Sequence, residues 1–264
     1  MPQAEIGVIG GTGIYDPQLL TKSKKIAVNT PYGAPSDKVT IGEYEGRSVA
    51  VLPRHCASHA IPPHKVNYRA NIAALKKLGV HTILAATAVG SLQNTIKPGQ
   101  IVFADQFIDR TRNRISTFYE KEKVCHISVA DPVCPLLHEF MWQIARKLKI
   151  PSHRTGTYVC IEGPRFSTKA ESRLFRAWGG HIIGMTLVPE AVLAREAEIC
   201  YSPIAMVTDY DSFRDTPVSI DEVLKTMKEN DDKVKAIMNA AIPAIPTNDK
   251  RECSCKTALK GALV

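Results

Sequence analysis

The chain has 264 residues, a mass of 29.0 kDa and 44% hydrophobic residues, enough for a sizeable core and inconsistent with a disordered or fibrous protein. Its formal net charge of +8 suits an anionic substrate, and the densest basic patch, Lys22-Ser23-Lys24-Lys25, is too sparse for an arm that grips a nucleic-acid backbone. The N-terminus shows neither a basic nor an apolar leader region, and no stretch approaches the roughly 18 apolar residues of a membrane span. The expectation is a cytoplasmic protein without membrane or nucleic-acid partners.

Along the chain, Ile6–Ile9 is a short apolar run ending in glycines, which predicts a buried strand turning into a loop. Val39–Glu43 and Ser48–Leu52 flank Glu45-Gly46 and predict a hairpin. Apolar residues at helical spacing predict a helix over His64–Leu78, stopped at Gly79, followed by a buried strand over His81–Thr87. A helix is expected over Cys134–Leu148, strands over Gly156–Ile161 and His181–Ile183, and a helix over Thr168–Ala177 between them. Pro189-Glu190 opens a further helix and Tyr201–Thr208 is the next strand. The last long helix begins at a capping box, Ser219 and Glu222, with Val218 before it. Its apolar residues Ile220, Val223, Leu224, Met227, Val234, Ile237 and Met238 form one stripe. The alternation predicts an undivided α/β domain with a largely parallel sheet.

Four strand ends carry groups with chemistry. Gly10-Gly11-Thr12-Gly13 follows a buried strand; glycines let backbone N–H groups approach an anion, and Thr12 adds a hydroxyl. A dinucleotide fingerprint fails here because Asp16 stands where its third glycine belongs, which leaves a phosphate cradle or a plain tight turn. At the next strand end, Arg54 offers a charged fork for two phosphate oxygens and His55 a ring donor. Two other readings of this stretch are a zinc site from His55, His59 and His64 and histidines satisfied locally. Thr87-Ala88-Val89-Gly90-Ser91 closes a third strand, again where α/β sheets bind ligands. In Thr208-Asp209-Tyr210-Asp211, period 2 puts both carboxylates on one side, where like charge favours keeping one protonated as an acid; a solvated turn or helix cap is the alternative. The apolar stripe of the last helix reads equally as a ligand wall or as core packing.

Eight stretches in order resemble the 5′-methylthioadenosine phosphorylases of the trimeric purine nucleoside phosphorylase family. They are Gly10–Gly13, Thr30–Asp37, Arg54-His55, Lys65–Asn71, Gln106–Thr111, Ile161–Ser167, Met185–Glu190 and Thr208–Asp211. The resemblance implies a mixed, partly barrel-like α/β fold, with a catalytic core over 5–242 and a tail over 243–264. It implies Thr12, Arg54, His55, Thr87, Ala88 and Thr186 around phosphate, Met185 against ribose and Phe166 and Ser167 at the purine. Asp209 and Asp211 would face the purine edge, Ile220, Val223 and Leu224 the 5′ group, and His126 the site of a neighbouring subunit. The implied reaction is phosphorolysis of methylthioadenosine by inorganic phosphate as co-substrate, with no cofactor or metal, in a homotrimer or hexamer. Family members that read 6-oxopurines carry Glu and Asn where this chain has Ser167 and Asp209, so the site looks built for adenine. A broader enzyme acting on adenosine, inosine or guanosine is the alternative, and a nucleotide-binding or redox module is the reading from another class.

Seven cysteines are many for a reducing compartment and lack zinc-finger spacing, which points either to buried thiols or to the intracellular disulfides that hyperthermophiles form. Cys253-Ser254-Cys255 resembles the tails of thermophilic archaeal members. A Cys253–Cys255 bond, a Cys134–Cys200 bond and free thiols throughout are the three expectations.

Overall fold

The computed structural model describes residues 3–11, 19–214 and 219–264, apart from the side chain of Glu222. The described strands are β1 (Ile6–Gly10), β2 (Thr21–Ile26), β3 (Val39–Tyr44), β4 (Arg47–Pro53), β5 (Thr82–Ser91), β6 (Ile101–Val102), β7 (Gln106–Arg110), β8 (Ser152–His153), β9 (Thr157–Ile161), β10 (Ile182–Gly184) and β11 (Cys200–Tyr210). They join in one sheet, flanked by helices α1 (Tyr68–Lys77), α2 (Pro135–Lys147), α3 (Lys169–Ala177), α4 (Leu187–Glu196) and α5 (Ile220–Ala241).

The sheet is mixed, as the resemblance implied, rather than largely parallel. β4, β1, β5 and β11 run parallel as successive neighbours. The β2-β3-β4 edge is antiparallel, and β10 runs antiparallel to β5 but parallel to β9. β1 and β4 end together at Gly10 and Pro53, just past the level of Ala85, while β5 and β11 run on side by side to Ser91 and Tyr210, so Thr87 and Asp209 stand within strands beside the loops that follow β1 and β4.

Helices cover both faces, so the central strands read as continuous apolar runs. On β5, Ile83 and Ala85 pack into the core shared with α1 and α4. Leu84 and Ala86, one residue out of phase, pack into the core shared with α2 and α5. β11 divides the same way, with Ala205 and Val207 on one side and Ile204 and Met206 on the other. This is the period-2 alternation of a strand buried twice.

Local chemistry sets the element ends. Glu45 and Gly46 both have positive φ, 47° and 76°, the conformation a tight two-residue hairpin requires. Gly79, at φ +93°, terminates α1 as expected. The expected helix over His64–Leu78 is instead a 3₁₀ turn, Pro63–Lys65, followed by α1 from Tyr68. Two prolines remove N–H donors just upstream, and Asn67 then starts the helix afresh by accepting from the Ala70 N–H. Thr168 and Glu171 form a complete capping box at α3. Val218 and the Glu222 side chain lie outside the described residues.

β2 and β7 were not anticipated as strands. β2 is an exposed edge strand holding the Lys22–Lys25 patch, and charged side chains of this kind blunt an edge against further pairing. Beyond α5 the tail runs through short 3₁₀ turns and ends against residues 124–126, with the His126 N–H donating to the Ala262 carbonyl.

Candidate active site

A cavity of about 570 Å³ opens at the rim where the parallel strands end, within the range of small-molecule sites. Its wall includes Gly11, Arg54, His55, Thr87, Ala88, Phe166, Ser167, Met185, Thr186, Asp209, Asp211, Ile220, Val223 and Leu224. Of the residues singled out in the sequence for this pocket, Thr12 lies outside the described residues. His126 is exposed and does not line the pocket of its own chain. Met227, Thr208 and Gly90 also line the wall.

Arg54 follows β4 directly, and its backbone N–H donates to the Gly10 carbonyl at 2.9 Å, which ties two of the rim loops together. Its side chain is only 2% exposed and meets Glu190, itself 0% exposed, through two bonds of 2.7 Å. Arg54 Nη1 also donates to the Ala86 carbonyl at 2.8 Å. Glu190 was part of a quoted motif but was assigned no role. The usable signal was a carboxylate set inside an apolar stretch, which demands a buried partner.

His55 Nδ1 lies 2.8 Å from the Ile61 carbonyl. A carbonyl only accepts, so Nδ1 carries the proton and the neutral ring leaves Nε2 as an acceptor. Burial, and then the Arg54 charge, push the His55 pKa down to about 4, which keeps the ring neutral near pH 7. The ring donor expected of His55 is therefore spent on the Ile61 carbonyl, and the neutral ring has only an acceptor left to offer. His55 and His59 rings sit 4.7 Å apart, but among the described residues the histidines form no metal-ligating group.

Thr87, within β5, and Thr186, the residue just before α4, meet at 2.9 Å between hydroxyls. β10 brings them together: Ile183 pairs with Gly90 in antiparallel register, so the chain past Gly184 runs back along β5 toward Thr87. A Cβ at Gly184 would fall 2.0 Å from Tyr158 Oη, so only glycine fits where β10 passes that ring. Arg114 fastens the same corner, donating to the carbonyls of Met185, Val188 and Glu162 at 2.6–2.7 Å.

Both carboxylates expected at the purine edge are buried in the wall. A register shift between Val207 and Asp209 interrupts β11 there. Thr208 Oγ1 donates to Asp209 Oδ1 at 2.7 Å. Ser167 Oγ donates to the Asp211 carboxylate at 2.6 Å, so the residue that the resemblance paired with Asp209 by substrate preference is instead bonded to Asp211. A Cβ at Gly90 would stand 3.0 Å from Asp209 Oδ2, so this glycine allows the acid its place.

The stripe on α5 divides. Ile220 and Leu224 are 59% and 57% exposed and line the cavity with Val223, whereas Val234, Ile237 and Met238 are fully buried in the core. Core packing thus accounts for the second half of the stripe and the cavity wall for the first.

Cys134, Cys200, Cys253 and Cys255 lie elsewhere, at the start of β11 rather than its end. Their sulfurs fall within 4.8 Å of one another, a group able to offer metal ligands that the spacing did not reveal. All four are free thiols in this structure, and the Cys200 and Cys253 sulfurs are 3.2 Å apart, a pairing not among the two expected.

The family model described as Phosphorylase superfamily matches residues 5–243. S-methyl-5′-thioadenosine phosphorylase of Thermofilum pendens is 55% identical over 264 residues, covering all of both chains. The protein of that name from Saccharolobus solfataricus is 53% identical, covering 99% of this chain and 98% of its own. Among solved structures, a methylthioadenosine phosphorylase from an antarctic soil metagenomic library matches with a TM-score of 0.95 at 43% identity, over 100% of this chain and 93% of that one. The Schistosoma mansoni methylthioadenosine phosphorylase in complex with adenine matches with a TM-score of 0.92 at 38% identity, over 98% and 99%. A pocket built from the ends of parallel strands and a match across nearly the whole chain agree: this chain belongs to the phosphorylase superfamily.

Proposed function

We propose that the chain catalyses phosphorolysis of 5′-methylthioadenosine, giving adenine and 5-methylthioribose 1-phosphate. The observation that carries this reading is the single pocket holding three chemistries side by side: Arg54, Thr87 and Thr186 for an anion, Asp209 and Asp211 for a base, and an apolar α5 wall. Cleavage of the N–C1′ bond puts positive charge on the sugar and negative charge on the base. Phosphate held near C1′ stabilises the oxocarbenium-like centre and then attacks it. Asp209 delivers a proton to N7, or holds one there, so that the base leaves neutral, a contribution of about 10²–10⁴-fold. Asp211, held by Ser167, faces the exocyclic amine. Met185 lies against the ribose and Phe166 against the purine. Ile220, Val223 and Leu224 bury the methylthio group, where a 5′-hydroxyl would lose a partner at a cost of about 1–3 kcal/mol. None of these steps uses a metal or an organic cofactor.

Comparing kcat/KM for methylthioadenosine and inosine in the wild type and in Asp209→Asn tests the assignment. The expected result is a wild type that strongly prefers methylthioadenosine and a variant that loses about 10²-fold or more on it, with inosine improved in relative terms. Unchanged kinetics with both substrates would remove Asp209 from its role.

The remaining features of this reading extend beyond the pocket. Residues 1–264 act as one unit, a core over 5–242 with a tail over 243–264, assembled as a cytoplasmic homotrimer or hexamer in which His126 closes a neighbour's site. No helix among the described residues is long and apolar enough to cross a membrane. The four clustered cysteines are read as disulfide-forming, by an external two-electron oxidant, with Cys134–Cys200 and Cys253–Cys255 joined by Cys200–Cys253 as a third candidate pair. Thiol titration in denaturant without reductant should then find three free thiols, Cys56, Cys125 and Cys160, with the first two bonds formed, or five with Cys200–Cys253 alone, which excludes both; seven would refute the bonds.

A further inference from the structure

The structure assigns to Glu190, backed by Tyr201, the role of a positioning residue that aims Arg54 at the phosphate. This inference rests on the reading of Arg54 as a phosphate ligand given above. A guanidinium has five N–H donors. In Arg54, Nε and one hydrogen of Nη2 go to the two Glu190 oxygens, and one hydrogen of Nη1 goes to the Ala86 carbonyl. That leaves one hydrogen on each terminal nitrogen, on a side chain that lines the cavity beside His55, Thr87 and Thr186. Two-point contact with a carboxylate fixes the plane of the guanidinium as well as its position, so those two remaining hydrogens have a fixed direction. Glu190 is itself held: the Tyr201 hydroxyl donates to its Oε1 at 2.8 Å. Burial first, and then the Glu190 charge, hold the Tyr201 pKa well above its ordinary value, so the phenol stays a donor.

A stability role alone explains this arrangement poorly. A buried ion pair replaced by apolar groups of similar size is often neutral or stabilising. Here the pair also stands at a cavity wall, where an anion meets an arginine whose charge is already balanced. Balance lowers the raw attraction for phosphate, and orientation restores affinity selectively for an oxyanion whose oxygens match the two free hydrogens.

Those two effects have opposite signs, which makes the proposal testable. In Glu190→Gln a negative charge near phosphate disappears, so charge alone predicts a lower phosphate KM. Loss of orientation predicts a higher one. We expect the phosphate KM of E190Q to rise about 10-fold or more, while the KM for methylthioadenosine changes by less than about twofold. Tyr201→Phe, which removes only the supporting hydroxyl, should raise the phosphate KM several-fold in the same direction, and it serves as the readout if E190Q does not fold. A phosphate KM that is unchanged or lower in both variants overturns the inference. Arg54→Lys, measured alongside, separates the two failures. If it raises the phosphate KM while E190Q and Y201F do not, Arg54 binds phosphate without help from Glu190. If it leaves the phosphate KM unchanged, the anion-site reading fails and this inference falls with it.

Discussion

His55 shows how a single residue's surroundings decide what it can do. Its Nδ1 is committed to the Ile61 carbonyl, and burial beside Arg54 lowers its pKa to about 4. The unfolded chain takes up a proton at this site near its ordinary pKa of about 6.5, whereas the folded chain does so only near 4. Between those values the unfolded state binds more protons, so the folded state loses stability as the pH falls. The slope from one such site is at most about 1.4 kcal/mol per pH unit. Denaturant unfolding of His55→Gln between pH 6.5 and 4 should therefore show a shallower loss than the wild type. His81, also lowered to about 4 by burial and then by Arg251, leaves a residual slope. Equal slopes in both proteins would mean that His55 is not held neutral. The residue type was legible in the sequence. Its tautomer was not, because the accepting carbonyl lies six positions away around a turn.

At the scale of elements, α5 carries two functions on one stripe. Its seven apolar positions at helical spacing carry no mark that divides them, since periodicity reports which face is apolar and not what covers it. The structure divides them by depth: the first turns stand at the cavity and the later turns in the core. Two substitutions should therefore part company. Leu224→Ser should reduce the preference for methylthioadenosine over adenosine by about 1–2 kcal/mol, roughly 5- to 30-fold, with little change in Tm. Ile237→Ala should cost about 2–5 kcal/mol of stability and leave the preference alone. Steady-state kinetics and thermal unfolding on both variants check this, and a selectivity change in Ile237→Ala would contradict the division. β2 escaped notice because its six residues, Thr21–Ile26, are nearly all exposed, so it lacks the alternation that marks a half-buried strand.

Across the whole molecule, the site depends on contacts between distant parts of the chain. Arg54 meets Glu190, Thr87 meets Thr186, and Ser167 meets Asp211. Parallel pairing of β4, β1, β5 and β11 places the first loops at one rim, and the antiparallel turn of β10 brings the third quarter of the chain back to the same place. Buried strands and the main helices were legible because their signals are local: an apolar run, apolar residues at helical spacing, a glycine past a helix. The capping box of Thr168 and Glu171 was not singled out in advance. Strand order was not, since nothing in β10 states that it opposes β5. The individual anion-suited groups were visible at separate strand ends, but the Glu190 fork appears only when the sheet is assembled. The four-cysteine cluster escaped for the same reason, with Cys134, Cys200 and the tail joined only in the fold.

The central claim is that the anion gripped at this rim is the attacking co-substrate. It is tested most directly by following methylthioadenosine cleavage with and without inorganic phosphate, with adenine measured by absorbance and the sugar product by phosphorus NMR. The account predicts no adenine release without phosphate, and with it one 5-methylthioribose 1-phosphate formed per adenine. Adenine released at the same rate without phosphate, together with free methylthioribose, would identify a hydrolase and contradict the account.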